Sequence, residues 1–150
     1  MTLIPVTIAC MVAAASLQSL PPEVMFGLYK TEGGHVGEWT TNTNGSHDLG
    51  PLQINDETWL TKIANLQFGG DKNKALAALL DDGCYNVNVG AWIFRQYLNE
   101  AGGDYATAIG FYNSHSPGAA STYRERFIQS LEALGLLNTK APLAESAPAP

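Results

Sequence analysis

The chain predicts a mainly α-helical domain with one small loop or hairpin region, and three observations predict it. Apolar residues recur at helical spacing along most of its length, in segments bounded by Gly or Pro. Between Gly34 and Gly50 this pattern gives way to Gly, Thr, Asn, Ser and His, the composition of an ordered loop or hairpin. At 150 residues and 45% hydrophobic content, the chain has enough apolar surface for one real core.

Residues 8 to 19 have helix-compatible composition, and Pro21-Pro22 separates them from a second helix that closes at Gly33-Gly34. In the loop that follows, NTNGS is the expected turn. Leu49 to Ile54 is expected to extend as a strand, with Pro51 confining it to a sheet edge. Asn55 is then the expected cap of a helix whose first turn carries Asp56 and Glu57 and whose apolar face is Trp59, Leu60, Ile63 and Leu66, ending at Gly69-Gly70. Lys72 to Leu80 is expected to be helical. Asp81-Asp82-Gly83 breaks it ahead of a longer helix from about Cys84 to Ala101, with its seam at Val87, Ala91, Phe94 and Leu98. Gly90 in that helix costs propensity, which points to a close approach by a neighbour. Asp104 is the expected cap of a helix on which Tyr105, Ala108, Ile109 and Tyr112 share a side and which ends at Asn113. A last amphipathic helix runs from Ala119 through Tyr123, Phe127, Leu131 and Leu134, with Gly135 as its stop.

Three regions follow. Residues 1 to 20 read either as an N-terminal apolar helix or as an export signal. Ala13-Ala14-Ala15 offers a cleavage site, but no Lys or Arg precedes Lys30, and the apolar run is too short to span a bilayer. Residues 21 to 137 form the main domain. Residues 138 to 150, ending in APLAESAPAP, have too little apolar surface to order themselves and are expected to be disordered.

The net charge of −6 and pI near 4.8, with only 8 Lys and Arg in no cluster, exclude a nucleic-acid partner. His35, His47 and His115 lack the spacing and the cysteine companions of a zinc site, so no metal is expected, and no fingerprint of a cofactor site is present. Carbohydrate remains open as a ligand class, because it is held by hydrogen bonds and by stacking on aromatic rings. Trp39, in the polar loop, fits either a sugar platform or a loop anchor.

Glu32 is the foremost candidate for chemistry. Met25, Leu28 and Glu32 sit at i, i+3 and i+7, which turns the carboxylate to the apolar side of its helix. In the last turn it opposes the helix dipole and loses water to apolar neighbours, and both effects raise its pKa toward that of a general acid at neutral pH. The same pattern also fits a buried structural carboxylate or a frayed surface end. Glu38, Glu57, Glu100, Glu125 and Glu132 read as solvated faces or helix ends. Asp48 fits either a second catalytic carboxylate or an Asx-type residue bonded to nearby backbone. Cys10 and Cys84 fit either one bridge across a long loop or two buried thiols.

Three segments in order resemble the soluble lytic transglycosylases of the lysozyme-like superfamily, especially the small ones that accompany conjugation, secretion and pilus machines. They are YKTEGG, GPLQIN at Gly50 to Asn55 and AIGFYN ending at Asn113, within a resemblance spanning roughly Cys10 to Phe127. Gly33, Pro51 and Leu52 depart from the family's commonest residues. The resemblance implies an α+β lysozyme-like fold whose loop or hairpin region forms one wall of a substrate cleft. It also implies Glu32 as the catalytic residue and Gln53, Tyr112 and Asn113 as cleft residues that bind substrate. DDGCYNVNVGA resembles the family segment whose cysteine pairs with one near the N-terminus, which implies a Cys10–Cys84 disulfide. The implied substrate is the peptidoglycan glycan strand, cleaved in the periplasm or exported envelope beside a secretion, conjugation or pilus apparatus, with no cofactor and no stable membrane span. The segment around Asp48 also resembles animal-type lysozymes, in which that aspartate assists hydrolysis.

Overall fold

The computed structural model of the protein describes residues 2 to 137; the segment 138 to 150, read above as a disordered tail, lies outside the described residues. The described chain is mainly helical, with a small three-stranded antiparallel sheet. Its order is α1 (Ile8–Leu17), α2 (Pro22–Glu32), β1 (Trp39–Thr41), β2 (His47–Leu49), β3 (Ile54–Asn55), α3 (Asp56–Gln67), α4 (Lys72–Asp81), α5 (Gly83–Glu100), α6 (Tyr105–Asn113) and α7 (Pro117–Ala133).

Helix α5 is the central element. Its predicted seam, Val87, Ala91, Phe94 and Leu98, is buried, and α1, α4 and α6 pack on it. Gly90 meets the expectation of a close approach, since a Cβ there would stand 2.2 Å from Leu52 Cδ1. Helix α1 belongs to the same core through Met11, Ala14 and Ala15, and a Cys10–Cys84 disulfide ties it to the start of α5. Arg95 of α5 completes the junction by donating to the carbonyl oxygens of Gln18 and Ser19, which follow the last turn of α1. A disulfide is compatible with an exported protein, and among the described residues no helix is long and apolar enough to cross a membrane.

Helix α2 starts at the proline pair and ends at Gly33, whose left-handed φ of 62° places it as the C-cap. Its buried Met25 and Leu28 face the core, and α7 covers it with Tyr123, Phe127 and Leu131, all buried. The composition shift after Gly34 becomes a hairpin in which Trp39 opposes Leu49 and Thr41 opposes His47, and β3 then pairs with β2 at Asp48↔Asn55.

Two expectations are corrected and a third is refined. Leu49 to Ile54 is not one strand: Gly50, at φ 65°, and Gln53, at φ 53°, bracket a turn between β2 and β3, so Pro51 and Leu52 are buried in a corner instead of edging a sheet. A Cβ at residue 50 would stand 2.5 Å from Asn86 Nδ2 and 2.8 Å from the Leu79 carbonyl oxygen, so the turn needs glycine for space as well as for φ. Asn86, buried in α5, holds the turn by accepting from Leu52 N–H at 2.9 Å and donating to the carbonyls of Leu49 and Leu79. Leu66 and Leu134, read as apolar-face residues, are 63% and 43% exposed, because each stands at the edge of an open groove instead of in the core. Asp104 does stand at the N-cap of α6, its carbonyl accepting from Ala108 N–H, but it caps without a side-chain bond to the backbone; its carboxylate instead accepts from Thr107 Oγ1.

Candidate active site

A cleft of about 440 Å³ opens between the end of α2, the sheet, α3, α5 and the end of α6. All five predicted site residues outside the disulfide line it: Glu32 at the last position of α2, Asp48 on β2, Gln53 in the Gly50 turn, and Tyr112 and Asn113 at the end of α6.

Glu32 occupies the helical wall. Its Oε1 accepts a 2.9 Å hydrogen bond from the Tyr123 hydroxyl of α7. Burial raises its pKa to about 7, with the negative charge of Asp48 adding to the rise; the Tyr123 hydrogen bond and the positive charge of Arg126 oppose it. Near neutrality the carboxyl therefore populates both the protonated form that can give a proton and the ionised form that can take one. Tyr112 and Tyr123 are held well above their ordinary value by burial and then by the charge of Glu32, so both remain neutral hydroxyls beside it. Their rings stack with centroids 6.5 Å apart, and the Tyr112 hydroxyl donates to the Leu52 carbonyl at 2.9 Å, joining α6 to the turn.

The sheet wall is built from paired polar side chains. One carboxylate oxygen of Asp48 accepts from Asn55 Nδ2 at 2.9 Å, and the same Nδ2 donates to Ser46 Oγ at 3.0 Å. The other end of Asn55 is the α3 cap, its Oδ1 accepting from Thr58 N–H. One residue thus fixes both the helix start and the Asp48 carboxylate. Gln53 lines the cleft while its Nε2 donates to the Gly50 carbonyl at 3.0 Å, closing its own turn. Asn42 and Asn44 complete this wall, with Asn44 Oδ1 accepting from Ser46 N–H in an Asx-type turn.

Several residues of the site escaped the sequence reading, one of them behind the lining and the others in it. Tyr123 was legible only as core, because its periodicity reports the ring and says nothing of where the hydroxyl ends. Glu57, read as a solvated helix end, lines the cleft from the first turn of α3. Trp59 and Tyr97 meet edge to face at 6.0 Å and form the far end, where Lys62 lies 5.8 Å from the Trp59 ring centroid. Trp39 is 53% exposed on β1 with its ring against His47, so it is no buried anchor, and it does not line this cleft. Two of the three histidines have carboxylate partners: His47 Nδ1 is 2.9 Å from the Asp56 carboxylate and His115 Nε2 is 2.7 Å from that of Glu100.

In comparisons with known proteins, no family model matches the chain and no curated protein matches it. What the arrangement can do is therefore argued from its chemistry. One carboxyl poised near pH 7 faces a second carboxylate across an open cleft lined by amides and aromatic rings, which suits acid and base work on a neutral, hydroxyl-rich ligand.

Proposed function

We propose that the protein is a peptidoglycan lytic transglycosylase with a lysozyme-like domain. In this reading the glycan strand lies along the cleft, and the β-1,4 bond between N-acetylmuramic acid and N-acetylglucosamine sits at Glu32. The observation that carries it is the Glu32 carboxyl, raised to about 7 by burial, in the wall of a polar cleft. Protonated Glu32 gives its proton to the glycosidic oxygen as the bond from C1 breaks. The carboxylate then takes the proton of the muramic acid 6-hydroxyl, whose oxygen bonds to C1 and closes a 1,6-anhydro ring. Water does not enter, and Glu32 ends protonated as it began. Gln53 and Asn113 position the substrate or its N-acetyl groups, and Tyr112, fixed by its bond to Leu52, shapes the subsite. Such an activity would open the wall locally for a secretion, conjugation or pilus apparatus in the periplasm or exported envelope.

A second reading is favoured by Asp48, whose carboxylate lines the same cleft in an orientation fixed by Asn55. There the protein is a muramidase: Asp48 stabilises or bonds the glycosyl intermediate, and water completes the cleavage. Digestion of purified peptidoglycan followed by mass spectrometry of the new ends separates the two. A 1,6-anhydromuramic end supports the transglycosylase, and a reducing muramic end one water heavier supports the hydrolase. If no new ends form while the Glu32→Gln variant still binds sacculi in a pull-down, the domain is a non-catalytic glycan-binding component.

A further inference from the structure

We propose that Arg126 is a positioning residue which, with Ser130, clamps the last turn of α2 to α7 and thereby sets the pH window in which Glu32 gives up its proton. This rests on Glu32 acting as the proton donor of the proposed function. Tyr123, Arg126 and Ser130 stand at i, i+3 and i+7 of α7, on one stripe, and each grips the end of α2. The Tyr123 hydroxyl donates to Glu32 Oε1 at 2.9 Å. The Arg126 Nη2 donates to the Thr31 carbonyl at 3.2 Å, one of the helix-end carbonyls that lack an intrahelical partner. Thr31 Oγ1 bonds Ser130 Oγ at 2.8 Å and the Gly27 carbonyl one turn back, while Ser130 Oγ also bonds the Arg126 carbonyl. Between these bonds the helices touch closely, since a Cβ on Gly27 would stand 2.5 Å from the Phe127 ring.

The guanidinium is anchored at both ends of this clamp, because it also lies 5.8 Å from the Tyr123 ring centroid. Four groups face the Glu32 carboxyl from the elements around it: Tyr123 and Arg126 from α7, Tyr112 from α6 and Asp48 from β2. The two phenols are neutral and Asp48 is an anion, so Arg126 is the one cation among the four. It opposes the rise that burial and Asp48 cause, and it does so beside the negative end of α2, whose last turn also carries the exposed Lys30. Removing the charge makes ionised Glu32 less stable, so its pKa rises. The carboxyl then stays protonated to higher pH, and the alkaline limb of the cleavage profile moves upward.

The test uses the full chain with Arg126→Met, which keeps a stem to cover Tyr123, Arg126→Lys, which keeps the charge, and Ser130→Ala. Carbon-13 NMR titration of the Glu32 side-chain carboxyl reads the clamp without requiring any activity. The expected result is an upward midpoint in the Met variant, near recovery in the Lys variant, and an upward drift of the wild-type midpoint toward that of the Met variant at about 1 M salt, where screening shortens the reach of the charge. In parallel, the ratio of Met-variant to wild-type cleavage rate should be larger at about pH 8 than at about pH 6. Equal Glu32 midpoints in wild type and the Met variant overturn the proposal, even if the variant is less stable. A shifted midpoint in a protein that cleaves no glycan at any pH sustains the clamp and defeats the functional reading instead.

Discussion

On the helical side of the cleft, Glu32 ends a helix whose inner face, with Val24, Met25 and Leu28, is packed in the core, and among the described residues its side-chain hydrogen bond comes from a phenol that is itself buried. On the sheet side, Asp48 belongs to a strand of three residues and is held by an amide that also caps a helix and bonds a serine. The two carboxylates face the same space, yet the helical wall removes water from its acid while the sheet wall supplies a hydrogen bond to its own. Desolvation disfavours the charged form, and it is the helical wall that raises the pKa of its acid to about 7. The sheet wall instead fixes where its carboxylate points, through the Asn55 amide.

The sharpest way to break this contrast is Glu32→Gln. Glycan cleavage should fall by about 10³-fold or more, measured as released saccharide ends per unit time. Stability should move the other way. A carboxyl whose folded pKa is raised from 4.5 to about 7 binds more protons folded than unfolded across that interval, so wild-type stability declines as pH rises from about 4.5 through 7. The variant escapes that decline, and chemical denaturation at about pH 8 should find it up to about 3 kcal/mol more stable than wild type, relative to the same comparison at about pH 4. A variant that tracks wild type at both pH values would show that Glu32 is not desolvated.

Reduction of Cys10–Cys84, or Cys84→Ser, releases a constraint across a sequence separation of 74 residues, and should cost about 4–5 kcal/mol in the chain-entropy description. Because the bridge ties α1 to α5, behind both walls, denaturant midpoints should fall while the Glu32 titration stays in place. Asn86→Ala strikes the sheet side alone. It strands the Leu52 N–H and removes donors from the Leu49 and Leu79 carbonyls, an expected loss of about 2–4 kcal/mol by urea unfolding.

Asp48→Asn tests whether the second wall takes part in chemistry. Transglycosylation by Glu32 alone predicts a loss within about tenfold, while a hydrolase that needs the second carboxylate predicts about 10²-fold or more, read from turnover on the same peptidoglycan. The smallest expected effect is Tyr112→Phe, which deletes one 2.9 Å hydrogen bond to Leu52 and should cost about 1 kcal/mol of stability. If glycan cleavage also falls several-fold, the hydroxyl holds the Gly50 turn in its working position.

Much of the helical wall was legible because its causes are local. The stripe of Met25, Leu28 and Glu32, the prolines that open α2 and the glycine that closes it turn the carboxyl inward, where it is half-buried and meets the hydroxyl of buried Tyr123. Asn55 was legible as a cap for the same reason. The turn at Gly50 was misread as strand because Leu49 to Ile54 has extended composition, and its bend depends on Asn86, far away in the chain, reaching into the corner. The Tyr123 hydroxyl and the Glu57 carboxylate were missed because periodicity assigns a residue to a face and says nothing of what its polar tip meets.

By itself the sequence determined the helices, the Asn55 cap of α3, the glycine stop of α2, the apolar seam of α5 and the side of α2 on which Glu32 stands, since each follows from chain geometry within a few turns. Only the tertiary structure decided that Glu32, Asp48, Gln53, Tyr112 and Asn113 share one cleft, that Cys10 meets Cys84, and that Tyr123 and Arg126 set the surroundings of the acid. Those outcomes depend on distance and burial between segments remote in the chain, and the electrostatic consequences of burial exist only once water has been excluded.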